Sequence, residues 1–113
     1  MKNNKTVSEH SIFTLREDLR LEAHGLTERL HRSVGRLTSC ERQPCLEYGE
    51  EIAYQRVLAE RLFYLQHCRD TLEKCISTGK VVLRYHWQDG TVSITRFRKL
   101  GPARVQLTGF VAA

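Results

Sequence analysis

Long apolar runs are missing from this chain. Hydrophobic residues make up 41% of it, yet no run approaches the ~18 residues that a helical membrane span needs. No membrane association is therefore expected. Met1-Lys2-Asn3-Asn4-Lys5 has no apolar stretch behind it, so no secretory leader is expected, and a cytoplasmic location is the expectation. Proline occurs only twice and the seven glycines are scattered, which excludes collagen-like and low-complexity architectures. There is no Gly-x-x-x-x-Gly-Lys loop to cradle phosphates, no His-Glu-x-x-His pair and no elbow that presents a serine. With these signatures missing, the chain is not expected to be an enzyme and no cofactor is implied.

Negative charge is nearly absent from one part of the chain. Residues 1–79 hold twelve Lys/Arg against twelve Asp/Glu. Residues 80–113 hold Lys80, Arg84, Arg96, Arg98, Lys99 and Arg104 against Asp89 alone, so the whole net charge of +5 lies in the last third. Such a segment attracts phosphate, an anionic surface or an acidic protein.

The 113 residues allow one domain. Residues 1–10 are polar and unpatterned and read as a flexible, frayed tail. From Thr14 a helical period appears. Leu15, Leu19, Ala23, Leu26, Leu30, Val34 and Leu37 fall at steps of three and four, one face of a helix over about 14–38. Thr14 with Glu17 fits a capping box, and Ile12 and Phe13 could staple its entry. Thr38 to Gln43 reads as a turn before Pro44. A second helix is expected over about 45–77, with Tyr48, Ile52, Leu58, Leu62, Leu65, Leu72 and Ile76 as its stripe and Gly79 as its stop. Two long helices with a short connection favour an antiparallel hairpin. Tyr54, Val57 and Tyr64 form a shoulder beside the second stripe, the expected face for a homodimer or partner helix.

After Gly79 the period changes to two. Val81, Leu83, Tyr85 and Trp87 alternate with Val82, Arg84 and His86, a strand signal. Asp89-Gly90 suits a two-residue hairpin turn, which pairs Trp87 with Val92 and Tyr85 with Ile94. Gly101-Pro102 makes a further turn, and a third strand runs over about 104–111 with Val105, Leu107 and Val111 on one face. That register sets Arg96 and Arg98 on the apolar face and Phe97 on the polar one. A bulge near Thr95 would switch the faces. The expected fold class is α+β, a long antiparallel helical hairpin over 11–79 followed by a three-stranded antiparallel β-meander over 80–113.

Cys40, Cys45, Cys68 and Cys75 lack the close knuckle spacing of zinc sites. The hairpin separates the first pair from the second, so no metal is expected and free thiols in a reducing compartment fit best. His10, His24, His31, His67 and His86 stand in no recognisable motif. Glu47, Glu50 and Glu51 complement the N-terminal dipole of the second helix.

The basic strands carry the positive signal. Lys80, Arg84, His86, Arg96, Arg98, Lys99 and Arg104, with Phe97 among them, suit phosphate contact and base stacking. The reading is a small non-catalytic regulatory protein that binds DNA or RNA through this meander. The alternative is an inhibitor or adaptor whose basic surface covers an acidic protein partner.

Overall fold

The computed structural model describes the backbone of residues 6–40 and 47–112, and side chains within 6–38 and 49–109. The order is β1 (Thr6–Ser11), α1 (Ile12–Cys40), α2 (Glu47–Thr78), β2 (Lys80–His86), β3 (Val92–Lys99) and β4 (Arg104–Ala112). The α+β class, the helical hairpin and the C-terminal antiparallel meander are all present. The sheet gains a fourth strand from the N-terminus, and its order is β1-β4-β3-β2, antiparallel throughout.

Over residues 6–10 the strand β1 replaces the frayed tail expected there, and residues 1–5 lie outside the described residues. The sequence of β1 has two strand formers, Thr6 and Val7, side by side, and alternation alone does not reveal it. What orders it is the free edge of β4, whose backbone groups pair with it from Thr6 opposite Gly109 to Ser11 opposite Arg104. The chain then turns directly into α1, which starts two residues before the expected Thr14. The cap is Ser11, whose hydroxyl accepts from the Thr14 backbone N–H at 3.4 Å. Glu17 is held by Arg20 at 2.8 Å instead of closing a capping box. Ile12 is core, whereas Phe13 is exposed.

At about 1.5 Å per residue α1 and α2 are about 43 and 48 Å long, and α1 runs through the Thr38–Cys40 stretch expected as a turn. The rest of that turn, with Pro44 and Cys45, lies outside the described residues. The hairpin is zipped by apolar side chains, with Leu26, Leu58 and Leu65 buried and Leu19, Ala23, Leu30 and Leu62 packed around them. Arg16–Glu73 at 2.7 Å and Glu22–Arg61 at 3.1 Å bridge the helices along its length. Nearer the tip the stripe shifts by one residue. Val34 is exposed and Ser33 takes the inward place, donating to the Glu51 carboxylate that Arg36 also grips. Both partners hold the Glu51 carboxyl below the usual carboxylate range, the guanidinium first.

The sheet lies against the base of the hairpin, where α1 starts and α2 ends. Ile12, Leu15, Cys68, Leu72 and Cys75 meet Leu83, Phe97 and Val105 in the main core. Cys68 and Cys75 are buried free thiols within it, and burial pushes both thiol pKa values up. Gly79, at φ +90°, ends α2 as expected, its N–H donating to the Cys75 carbonyl at 2.7 Å. No described helix is long and apolar enough to cross a membrane.

Candidate polyanion-binding face

The register of the β2–β3 hairpin decides which side chains share a face. The connection is one residue longer than the two-residue turn expected from Asp89-Gly90. Trp87 N–H donates to the Thr91 carbonyl at 2.9 Å, and Gly90 N–H donates to the Trp87 carbonyl at 3.0 Å. Gly90 has φ +93°. This is a turn followed by a left-handed glycine, the bulged form of a hairpin loop. Asp89 stabilises it by accepting from both the backbone N–H and the hydroxyl of Thr91, at 2.9 and 2.7 Å.

The extra loop residue slides β3 by one position. Tyr85 stands opposite Ser93, Leu83 opposite Thr95 and Val81 opposite Phe97. In the expected register Tyr85 faced Ile94. Because side chains alternate, a slip of one reverses the whole of β3. The conflict noted in the sequence is removed, by a bulge at Gly90 instead of near Thr95. Phe97 turns to the helices, where it is 1% exposed, and Arg96 and Arg98 turn out to solvent.

The sheet therefore has two distinct faces. One side carries Val81, Leu83, Tyr85, Phe97, Val105 and Leu107 onto the hairpin. No described residue covers the other. That face brings together Lys80, Arg84 and His86 from β2, Arg96 and Arg98 from β3, and Arg104 from β4, all exposed, with Glu9 of β1, opposite Gln106, as the carboxylate at its far edge. Lys80 lies directly opposite Arg98, and Arg96 and Arg98 are alternate residues of one strand, about 7 Å apart. From Arg84 through Arg96 and Arg98 to Arg104 the cations form a diagonal stripe across three strands, on the order of 20 Å long. A shallow depression of about 300 Å³ lies within it, lined by Lys80, Val82, Arg96, Arg98, Gln106 and Thr108.

None of these cations forms an ion pair with a described residue. The ion pairs present join helix residues to one another. Like charges directly opposite on neighbouring strands destabilise a sheet by about 0.2–1 kcal/mol, so the Lys80–Arg98 pair carries a cost that an anion would remove. Guanidinium groups on a flat face present forked donors that fit phosphate oxygens two at a time. Gln106 and Thr108, beside them on β4, were absent from the expected set; their place was legible in the alternation with Val105 and Leu107.

Three expected site residues belong elsewhere. Lys99 falls on the helix-facing side, and its Nζ donates to the Ile76 carbonyl in the last turn of α2 at 3.3 Å. There it meets the negative end of the helix dipole. Phe97 is core and offers no ring for stacking. Tyr64 is withdrawn from the shoulder. Its ring packs against Tyr85 and Trp87, with centroids 5.1 and 4.8 Å away, and desolvation pushes its phenol up to about 12. The other two shoulder residues, Tyr54 and Val57, stay exposed on α2. Glu28 lies beside His24 on α1, and Glu51 serves the hairpin.

Comparison with protein-family models, with curated proteins and with solved structures finds no match.

Proposed function

We propose that this chain is a small regulatory protein that acts by binding nucleic acid, without a catalytic step, through the open face of its sheet. The observation that carries the reading is the convergence of Lys80, Arg84, His86, Arg96, Arg98 and Arg104 on one uncovered surface, with no carboxylate paired to them among the described residues. Phosphate is the ligand chemistry that such a surface favours. With Phe97, Tyr85 and Trp87 on the opposite side, recognition rests on the sugar-phosphate backbone, which positions a nucleic acid without reading its sequence. The buried free thiols fit a reducing cytoplasm.

Binding is measured by fluorescence anisotropy with labelled DNA duplex, single-stranded DNA and RNA. With about five phosphates neutralised, the logarithm of the duplex affinity should fall against the logarithm of salt with a slope of about −4.5. The pair Arg96→Glu and Arg98→Glu should weaken binding by roughly a hundredfold, while Arg56→Glu on the helix α2 leaves it intact. No binding to any of the three probes at about 50 mM salt overturns the proposal. So does an acidic protein that stays bound through nuclease treatment and high salt while nucleic acids do not bind at all.

The homodimer is part of the same proposal. Tyr54 and Val57 stand one turn apart on α2, 39% and 65% exposed, and a second hairpin packed there would bury them. Light scattering should give twice the chain mass, and Val57→Glu should return a monomer. A monomeric wild type overturns this part alone.

A further inference from the structure

The strand β2 is the free edge of the sheet beside α2. Its backbone directions follow from two bonds. Trp87 N–H donates to the Thr91 carbonyl, and Lys99 N–H donates to the Gly79 carbonyl. Gly79 and Trp87 therefore point their backbone groups at β3, and so do Val81, Leu83 and Tyr85, which share their parity in an antiparallel ladder. Lys80, Val82, Arg84 and His86 point theirs away from the sheet. Among the described residues, only the Lys80 carbonyl has a partner, the Thr78 hydroxyl at a long 3.5 Å. The edge has no proline and no bulge within β2, two of the usual guards against pairing.

What flanks this edge differs on its two sides. On the open face stand Lys80, Arg84 and His86. On the helix side the exposed ring of Phe63, 62% accessible, leans over the Tyr85 ring at 6.4 Å and stacks edge-on with His67 at 4.7 Å. Next to Phe63 is a trough of about 530 Å³, whose lining includes Arg56, Ala59, Glu60 and Gln88. The edge thus combines outward-pointing backbone groups, a row of cations on one side and, on the other, the exposed Phe63 ring beside a trough of mixed polarity.

We infer that β2 accepts an added strand from another protein, an extended segment in which acidic and apolar residues alternate. Residues of such a segment opposite Lys80, Arg84 and His86 share the open face with them, so carboxylates fit there. The residues between them lie on the side of the exposed Phe63 ring, so apolar side chains fit there. Main-chain bonds supply affinity, and the two alternating sets supply specificity. A second copy of β2 is disfavoured as the occupant, because it would bring Lys80, Arg84 and His86 against like charge. The inference does not depend on what the open face binds.

The probe is a labelled peptide of about nine residues alternating Glu with Val and Phe. It should bind the full chain, with the largest amide shifts along β2. The same peptide N-methylated at the amides that join the ladder should lose about tenfold or more in affinity. Val82→Pro, which removes an outward N–H and leaves the β2–β3 ladder whole, should do the same. Phe63→Ser should weaken the peptide and leave duplex binding unchanged, which separates this site from the open face. The inference falls if the peptide does not bind or if the N-methylated form binds equally well. It also falls if a peptide of the same charge with its acids in one block binds as tightly, since the attraction would then be charge alone.

Discussion

Phe97 lies between an arginine on either side in sequence and under the helices in space, 1% exposed. Truncating it leaves a cavity in the core cluster that it shares with Leu72, Cys75 and Val105. Phe97→Ala should cost about 4 kcal/mol in urea denaturation, whereas Phe13→Ala at an exposed ring should stay within about 0.5 kcal/mol. Tyr64 provides a second test at this scale. Its phenol is held protonated by burial, with a folded value of about 12. A neutral form favoured in the folded state stabilises fully below the ordinary tyrosine range, about 10, and that contribution is lost as pH rises through the raised value. Phenolate absorbance should show Tyr64 ionising late, together with unfolding between about pH 10 and 12. Both residues show what was legible. The sequence marked Phe97 and Tyr64 as large apolar side chains beside their stripes, but periodicity could not tell which neighbour would cover them.

At the scale of elements, the hairpin loop Gln88–Gly90 is the decisive part. Gly90 holds φ +93°, a conformation that costs other residues about 1–2 kcal/mol, so Gly90→Ala should lower stability by that amount. Deleting Gln88 is a sharper test. It restores a two-residue connection and returns Arg96 and Arg98 to the helix side. The variant should fail to fold, as judged by near-ultraviolet circular dichroism. Glu60 on α2 accepts from the Gln88 backbone N–H at 2.7 Å, so the helix itself fixes where the loop sits. The dipeptide Asp89-Gly90 announced a hairpin correctly, but both loop lengths place a glycine there. The clash between Phe97 and its arginine neighbours was the readable sign that the shorter loop was wrong. The strand β1 had no such sign, because its pairing partner is remote in sequence.

For the whole molecule, carboxylates tie the parts together. Glu51 is held low by Arg36 and Ser33, Glu73 by Arg16 and Asp89 by the Thr91 backbone and hydroxyl. A carboxyl whose folded value is depressed stabilises above its ordinary range and loses that contribution as pH falls through the lowered value. The wild type should therefore lose stability between about pH 5 and pH 3. Glu51→Gln should show a shallower acid slope in thermal melts followed across that range. The Glu51 and Glu73 pairs belong to the hairpin and Asp89 serves its own loop, so the helical body is internally compensated while the cations of the open face form no ion pair among the described residues.

Composition and period by themselves determined the two helices, the change to strands after Gly79 and the confinement of net charge to the last third. Each is a local property, readable wherever a 3.6 or a 2.0 repeat is strong. Only the tertiary structure decided that Lys80, Arg84, His86, Arg96, Arg98 and Arg104 share one face, that Lys99 caps a helix instead, and that Thr6–Ser11 is a strand. The physical reason is that strand identity and facing are settled by the partner. Phe97, Val105 and Leu107 must meet the hairpin core, one loop residue provides the shift, and the arginines are carried to the opposite side as a consequence.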